Sequence, residues 1–133
     1  MNHPAVSYPR EAGTPVSHLP FSPAVQVGDL IFVSGQASVD LTGKIVTDTF
    51  EGEFRRSIEN LRAVLETSGS DLAHVVKTHN FVRDPEDVPK FNELYREYFD
   101  APYPARTTIT SCLGKNLKFE MDCIAVPKTA PSA

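Results

Sequence analysis

The ten residues from Leu117 to Val126 alternate without a break, and the two faces they generate are unlike. Leu117, Phe119, Met121, Cys123 and Ala125 fall on one side, and Lys118, Glu120, Asp122, Ile124 and Val126 on the other. The first face suits burial beneath a helix layer. The second mixes carboxylates with aliphatic groups and is neither plain surface nor plain core. A chain with this strand must build a sheet that carries helices on one face and something else on the other. With 133 residues there is room for one core. The second face is therefore expected to meet other copies of the chain, with polar clefts where they join.

The strongest helix signal lies upstream. Phe50, Phe54, Ile58, Leu61 and Leu65 recur at the spacing of one helical face. Asp48 with Glu51 predicts a capping box at the start, and Gly69 a left-handed residue just past the end. Arg55, Arg56, Glu59 and Arg62 fall off the stripe and read as a solvated face needing no partner. Ala24 to Val27 and Leu30 to Ser34 read as a hairpin turning at Gly28-Asp29. Val75 to Val82 is a β-branched strand, stopped by Asp84-Pro85. A second helix opens at Asp87, Val88 and Pro89. Its stripe of Val88, Phe91, Leu94, Tyr95, Tyr98 and Phe99 reads as core, and Pro102 and Pro104 close it. Arg106 to Cys112 forms the strand before the last one. The order β-β-α-β-α-β-β predicts a single α+β domain over residues 19–127, with two helices packed on one face of a mixed sheet. Residues 1–18 form a proline-rich arm, laid on the body or loose, and 128–133 a short tail.

Composition narrows the function. Apolar residues at 41% and charged residues at 23% describe an ordinary globular protein. A net charge of -4 lacks the basic excess of a general nucleic-acid binder, so no nucleic-acid partner is expected. No apolar run is long enough to span a bilayer, and Pro4, Pro9 and Pro15 interrupt any secretory leader, so a cytoplasmic location is expected. Cys112 and Cys123 read as two reduced thiols. His3, His18, His74 and His79 lack metal-ligand spacing, and neither a glycine-rich phosphate loop nor a GxSxG elbow occurs. No metal is expected, and nothing in these motifs supports a nucleotide cofactor. What remains is Arg106 at a strand entrance and Glu120 in mid-strand. By residue type alone Arg106 is either a solvated or structurally paired charge, or a planar fork for a carboxylate. Glu120 is either its acidic counterpart or a cross-sheet ion-pair partner.

Pro104-Ala105-Arg106 followed by Leu117-Lys118-Phe119-Glu120-Met121-Asp122-Cys123-Ile124-Ala125-Val126 resembles the closing motif of the RidA family. Val33-Ser34-Gly35-Gln36 resembles its second strand. Val75-Val76-Lys77-Thr78 and Phe91-Asn92-Glu93-Leu94-Tyr95 resemble its third strand and second helix. The similarity runs from about Leu19 to Val126. It implies a chorismate mutase-like fold, a homotrimer with ligand sites between subunits, and cofactor-independent hydrolysis of reactive enamines and imines of the 2-aminoacrylate type. The products would be a 2-oxo acid and ammonia. By position, Arg106 matches the residue that holds the substrate carboxylate and Glu120 the one that orients water. Ser34, Gly35 and Asn92 match pocket-lining positions.

Three positions depart from the family pattern. Phe21 and Pro23 stand where the best-known members carry tyrosine and glutamine, and Thr108 where many carry cysteine. Phe21 keeps the ring and loses the hydroxyl. The altered loop also resembles the aminoacrylate deaminase of pyrimidine catabolism. Two other readings stand beside the deaminase. One is a non-catalytic trimer that binds a small carboxylate or 2-oxo acid. The other is an endoribonuclease, which the acidic balance disfavours.

Overall fold

The computed structural model describes residues 5–10 and 13–129. Eight regular elements follow in order: β1 (Val6–Ser7), β2 (Ala24–Val27), β3 (Leu30–Ala37), α1 (Phe50–Thr67), β4 (Val75–Val82), α2 (Val88–Tyr98), β5 (Ala105–Thr110) and β6 (Phe119–Ala125), with single 3-10 turns before β4 and α2. The strands form one sheet in the order β1-β2-β3-β6-β4-β5. Every neighbouring pair is antiparallel except β4 and β5, which are parallel and joined through α2. The expected α+β architecture is therefore present, with β1 added from the arm. Val6 and Ser7 pair with Val27 and Gln26, so this part of the arm lies on the body. Most of the tail, from residue 130, lies outside the described residues.

Periodicity dictated the core. The stripe of α1 is buried from Phe50 to Leu65, and Phe91, Leu94, Tyr95 and Phe99 are buried along α2. Phe119, Met121, Cys123 and Ala125 of β6 complete the layer from below. Four rings interlock at its centre. Phe54 lies 4.8 Å from Phe119 and 6.0 Å from Phe91, Phe91 lies 5.7 Å from Phe119, and Phe50 meets Phe119 edge-on at 5.9 Å. Each such ring, fully buried, contributes about 1.5–3 kcal/mol. The cluster pins both helices to one strand.

The start of α1 differs from the expected capping box. Thr49, not Asp48, is the N-cap, and its hydroxyl accepts the N–H of Gly52. Asp48 stands one residue earlier and accepts the N–H of Thr49 at 2.7 Å. The acid that reaches back is Glu53, whose carboxylate accepts from the backbone of Asp48 and Lys118 and from Lys118 Nζ, although it is fully buried. The C-terminal expectation held, with Gly69 at φ 79° beyond the helix. The charges of α1 have partners after all. Arg55 bridges to Glu51 and to Glu97 and Tyr98 of α2, Arg56 pairs with Asp48, and Arg62 with Glu59.

Candidate active site

The site begins with an irregularity in β3. Val33 faces Cys123 and Gln36 faces Met121, so Ser34 and Gly35 contain one residue more than β6 can match. The resulting bulge is held from several sides. Ser57 Oγ donates to the Gln36 carbonyl, the Gln36 side chain donates to the Ser34 carbonyl at 3.1 Å, and Asn60 donates to the carbonyls of Ala37 and Val39 at 3.0 Å. Bulges re-aim side chains, and this one brings the Glu120 carboxyl directly over Gly35. Gly35 is needed for space rather than for φ: a Cβ there would collide with Glu120 Oε1. Glu120 is half-buried, and that burial, reinforced by the charge of Asp122, raises its pKa above the usual carboxylate range. Partial burial, with the charge of the same carboxyl, also raises the Cys112 thiol.

Ser34 anchors the loop that precedes β2. Its hydroxyl donates to the Ser22 carbonyl and its N–H to the Pro23 carbonyl, at 2.5 and 2.9 Å. Both bonds tie the Phe21 loop to the bulge. Phe21 itself is about half exposed. Phe21, Pro23 and Gly35 line a cavity of about 810 Å³ that extends beneath the arm to Val16, Leu41 and Leu117.

Arg106 builds a second centre. Its guanidinium lies 5.0 Å from both the Phe91 and Tyr95 ring centres, and Nη2 donates to Asn92 Oδ1. α2 supplies all three contacts because Phe91, Asn92 and Tyr95 share the turn that faces the β5 edge. Stacking on two rings fixes the plane of the fork while leaving it charged. Among the described residues Arg106 forms no ion pair, and the side chain opens to a cavity of about 270 Å³ lined by Asn92, Tyr95, Arg96, Tyr103, Pro104 and Arg106. Beneath it runs a buried polar chain. The Tyr95 hydroxyl meets Thr78 Oγ1 at 2.9 Å, and Asn80 donates to the same oxygen at 2.9 Å. Burial pushes the Tyr95 pKa up, so it stays a neutral phenol. Thr108 lies beside Asn80 in register, and its hydroxyl and Asn80 Oδ1 are buried without a partner.

The proposed pair does not converge within one chain. Arg106 aligns with Thr78 and Glu120 with Phe81, two strands and three register steps apart, or roughly 14 Å from standard sheet spacings. They also point to opposite faces. Arg106 lies on the helix side with the α2 rings, whereas Glu120 alternates with the buried Phe119 and Met121 and so faces away. The seven nominated residues thus separate into Arg106, Asn92 and Thr108 on the helix side, and Glu120, Gly35, Ser34 and Phe21 around the bulge. Sequence reasoning assigned Tyr95 to the core alone. It is buried, and it is also a platform for the guanidinium; its spacing of three from Asn92 and four from Phe91 was the available signal. Arg96 was not singled out at all.

The outer sheet face is as mixed as the alternation required. Phe32 opposes Ile124 and Phe81 adjoins Ile109, with Phe32 and Ile109 exposed. Beside them His79 Nδ1 and Asp122 Oδ1 meet at 2.7 Å. Among the described residues no group of His, Cys, Asp and Glu could hold a metal, and no helix is long and apolar enough to cross a membrane.

Residues 12–127 match the family described as Endoribonuclease L-PSP. A protein of Dermatophagoides farinae named 2-iminobutanoate/2-iminopropanoate deaminase is 38% identical over 109 residues, covering 80% of this chain and 85% of the relative. A Rid-family protein of Yersinia pestis superposes with a TM-score of 0.85 at 30% identity, over 92% of this chain and 99% of that one. Escherichia coli TdcF, solved with bound serine, superposes at 0.81 with 31% identity, over 92% and 99%.

Proposed function

This chain belongs to the Rid family, described as Endoribonuclease L-PSP, and on that footing we propose that it hydrolyses reactive enamine and imine intermediates to 2-oxo acids and ammonia. The observation that carries the reading is Arg106. A guanidinium stacked on two rings, held by Asn92, facing a small cavity and with no ion-pair partner among the described residues is a receptor for a carboxylate. The relative named as an iminobutanoate and iminopropanoate deaminase supports the substrate class, since both compounds carry a carboxylate beside the C=N bond.

The chemistry asks for little beyond position. With the carboxylate held at Arg106, water adds to the imine carbon and its proton passes to nitrogen. The carbinolamine then collapses to the ketone and expels ammonia. Orientation supplies much of the rate for so electrophilic a carbon. Glu120 is the group to align the water and take its proton, and a pKa raised above the ordinary glutamate value strengthens it as a base.

Because Arg106 and Glu120 diverge in one chain, the working site is read as composite. Arg106 comes from one protomer and Glu120 over Gly35 from the partner subunit, in a homotrimer closed through the outer sheet face. The apolar residues of that face, Phe32, Ile124, Phe81 and Ile109, support such a contact. Subunit complementation tests it. Arg106→Ala and Glu120→Gln each abolish imine turnover while leaving assembly intact. Mixed one-to-one, they regain activity at about a quarter of the sites, because each head-to-tail site takes one residue from each neighbour. Mixtures as dead as the parents would refute the shared site. Tight 2-oxo acid binding without any acceleration would leave a carboxylate-binding protein instead. The expected cytoplasmic location belongs to this reading.

A further inference from the structure

The Arg106 cavity holds a second cation that the reaction above does not use. Arg96 lines the same space of about 270 Å³, one helical turn beyond Asn92. Both guanidinia are tethered to that asparagine. Arg106 donates to its side-chain oxygen, and Arg96 Nη1 donates to its backbone carbonyl at 3.4 Å. Neither arginine forms an ion pair among the described residues, and no carboxylate lines the cavity. The acids nearest Arg96 in sequence are engaged elsewhere: Glu93 pairs with Lys90 at 3.5 Å and Glu97 with Arg55 at 3.1 Å. Two like charges are thus held around one residue, and among the described residues of the same chain no acid pairs with either. Two cations lining one cavity match a ligand that carries two negative charges.

We infer that Arg96 is a specificity residue and that the preferred substrates are 2-imino dicarboxylates, the imines of acidic amino acids. The inference rests on the deaminase reading and narrows its substrate class. Arg106 holds the carboxylate next to the C=N carbon, and Arg96 the carboxylate at the far end of the chain. The Tyr103 ring, half exposed at the cavity rim, borders the methylene groups between. The hydrolysis is unchanged: water adds at carbon, ammonia leaves, and both carboxylates survive. An exposed arginine contributes modestly, so the expected preference for a diacid over a monoacid is about fivefold or more in kcat/KM.

The test compares imines generated in situ from aspartate or glutamate with the imine from alanine, following ammonia release above the spontaneous rate for the wild type and Arg96→Gln. The wild type should favour the diacid imines, and Arg96→Gln should bring the ratio close to one. Equal use of both classes by the wild type, or a ratio that Arg96→Gln leaves unaltered, overturns the inference and leaves the deaminase reading standing. Should neither imine be turned over, the deaminase reading fails and calorimetry decides. Tighter binding of 2-oxoglutarate than of pyruvate, lost in Arg96→Gln, then supports the two-cation site. Equal binding of the two acids then overturns it.

Discussion

Replacing Gly35 by alanine separates stability from chemistry, because the position is a matter of clearance. The backbone there avoids the left-handed region, so alanine adopts it without strain. The new methyl would sit inside contact distance of Glu120 Oε1, 3.0 Å from Cδ and 3.5 Å from Cγ. The obstructing atoms are the far end of a flexible side chain, so the carboxyl swings aside instead of the strand moving. An off-rotamer glutamate costs about 0.5–1.5 kcal/mol. Loss of unfolded-chain freedom on Gly→Ala offsets roughly 0.4–1 kcal/mol of that. The net change in stability should therefore stay within about 1 kcal/mol. Catalysis has no such tolerance. A displacement near 1 Å in a group that aligns water costs about a hundredfold in rate, equivalent to roughly 2.7 kcal/mol. Urea denaturation and turnover of an imine generated in situ measure the two quantities on one preparation. Turnover within threefold of wild type, or a loss of several kcal/mol in folding, would show that Glu120 is not positioned as argued.

Other perturbations probe separate parts of the molecule. Glu120 carries a raised pKa, so the acid limb of kcat/KM should fall at a pH above the ordinary glutamate value of about 4.3. A carboxyl whose folded pKa is raised opposes folding once pH exceeds its unfolded value, so Glu120→Gln should be no less stable than wild type at neutral pH. Glu53→Ala removes the buried acceptor for Lys118 and for two backbone N–H groups, and chemical denaturation should show a loss of about 3–5 kcal/mol. Burial pushes the Cys123 thiol up to about 12, so a disulfide reagent at neutral pH should modify Cys123 only when the protein unfolds. Arg106→Lys keeps the charge but loses the stacked planar fork, and should retain under a tenth of wild-type kcat/KM, the loss of a bidentate contact being worth about 1.5–3 kcal/mol.

Much of this molecule is written in local pattern. The period of α1, the alternation of β6 and the proline stops yield the element order, the helix-bearing face of the sheet and nearly all the core, because backbone geometry alone decides which side chains share a side. Glu120 and Arg106 were legible as candidates through a motif resemblance; spacing alone left each an ordinary charge. Tertiary packing settled the remainder. The Glu53–Lys118 contact spans 65 residues, and no window of sequence reveals which acid will be buried beneath which cation. The bulge that sets Gly35 under Glu120 arises from a mismatch between two strands far apart in the chain. The divergence of Arg106 and Glu120 follows from strand order, which places β4 between them. Sequence determines the side to which a residue turns; only the pairing of distant strands decides what it finds there.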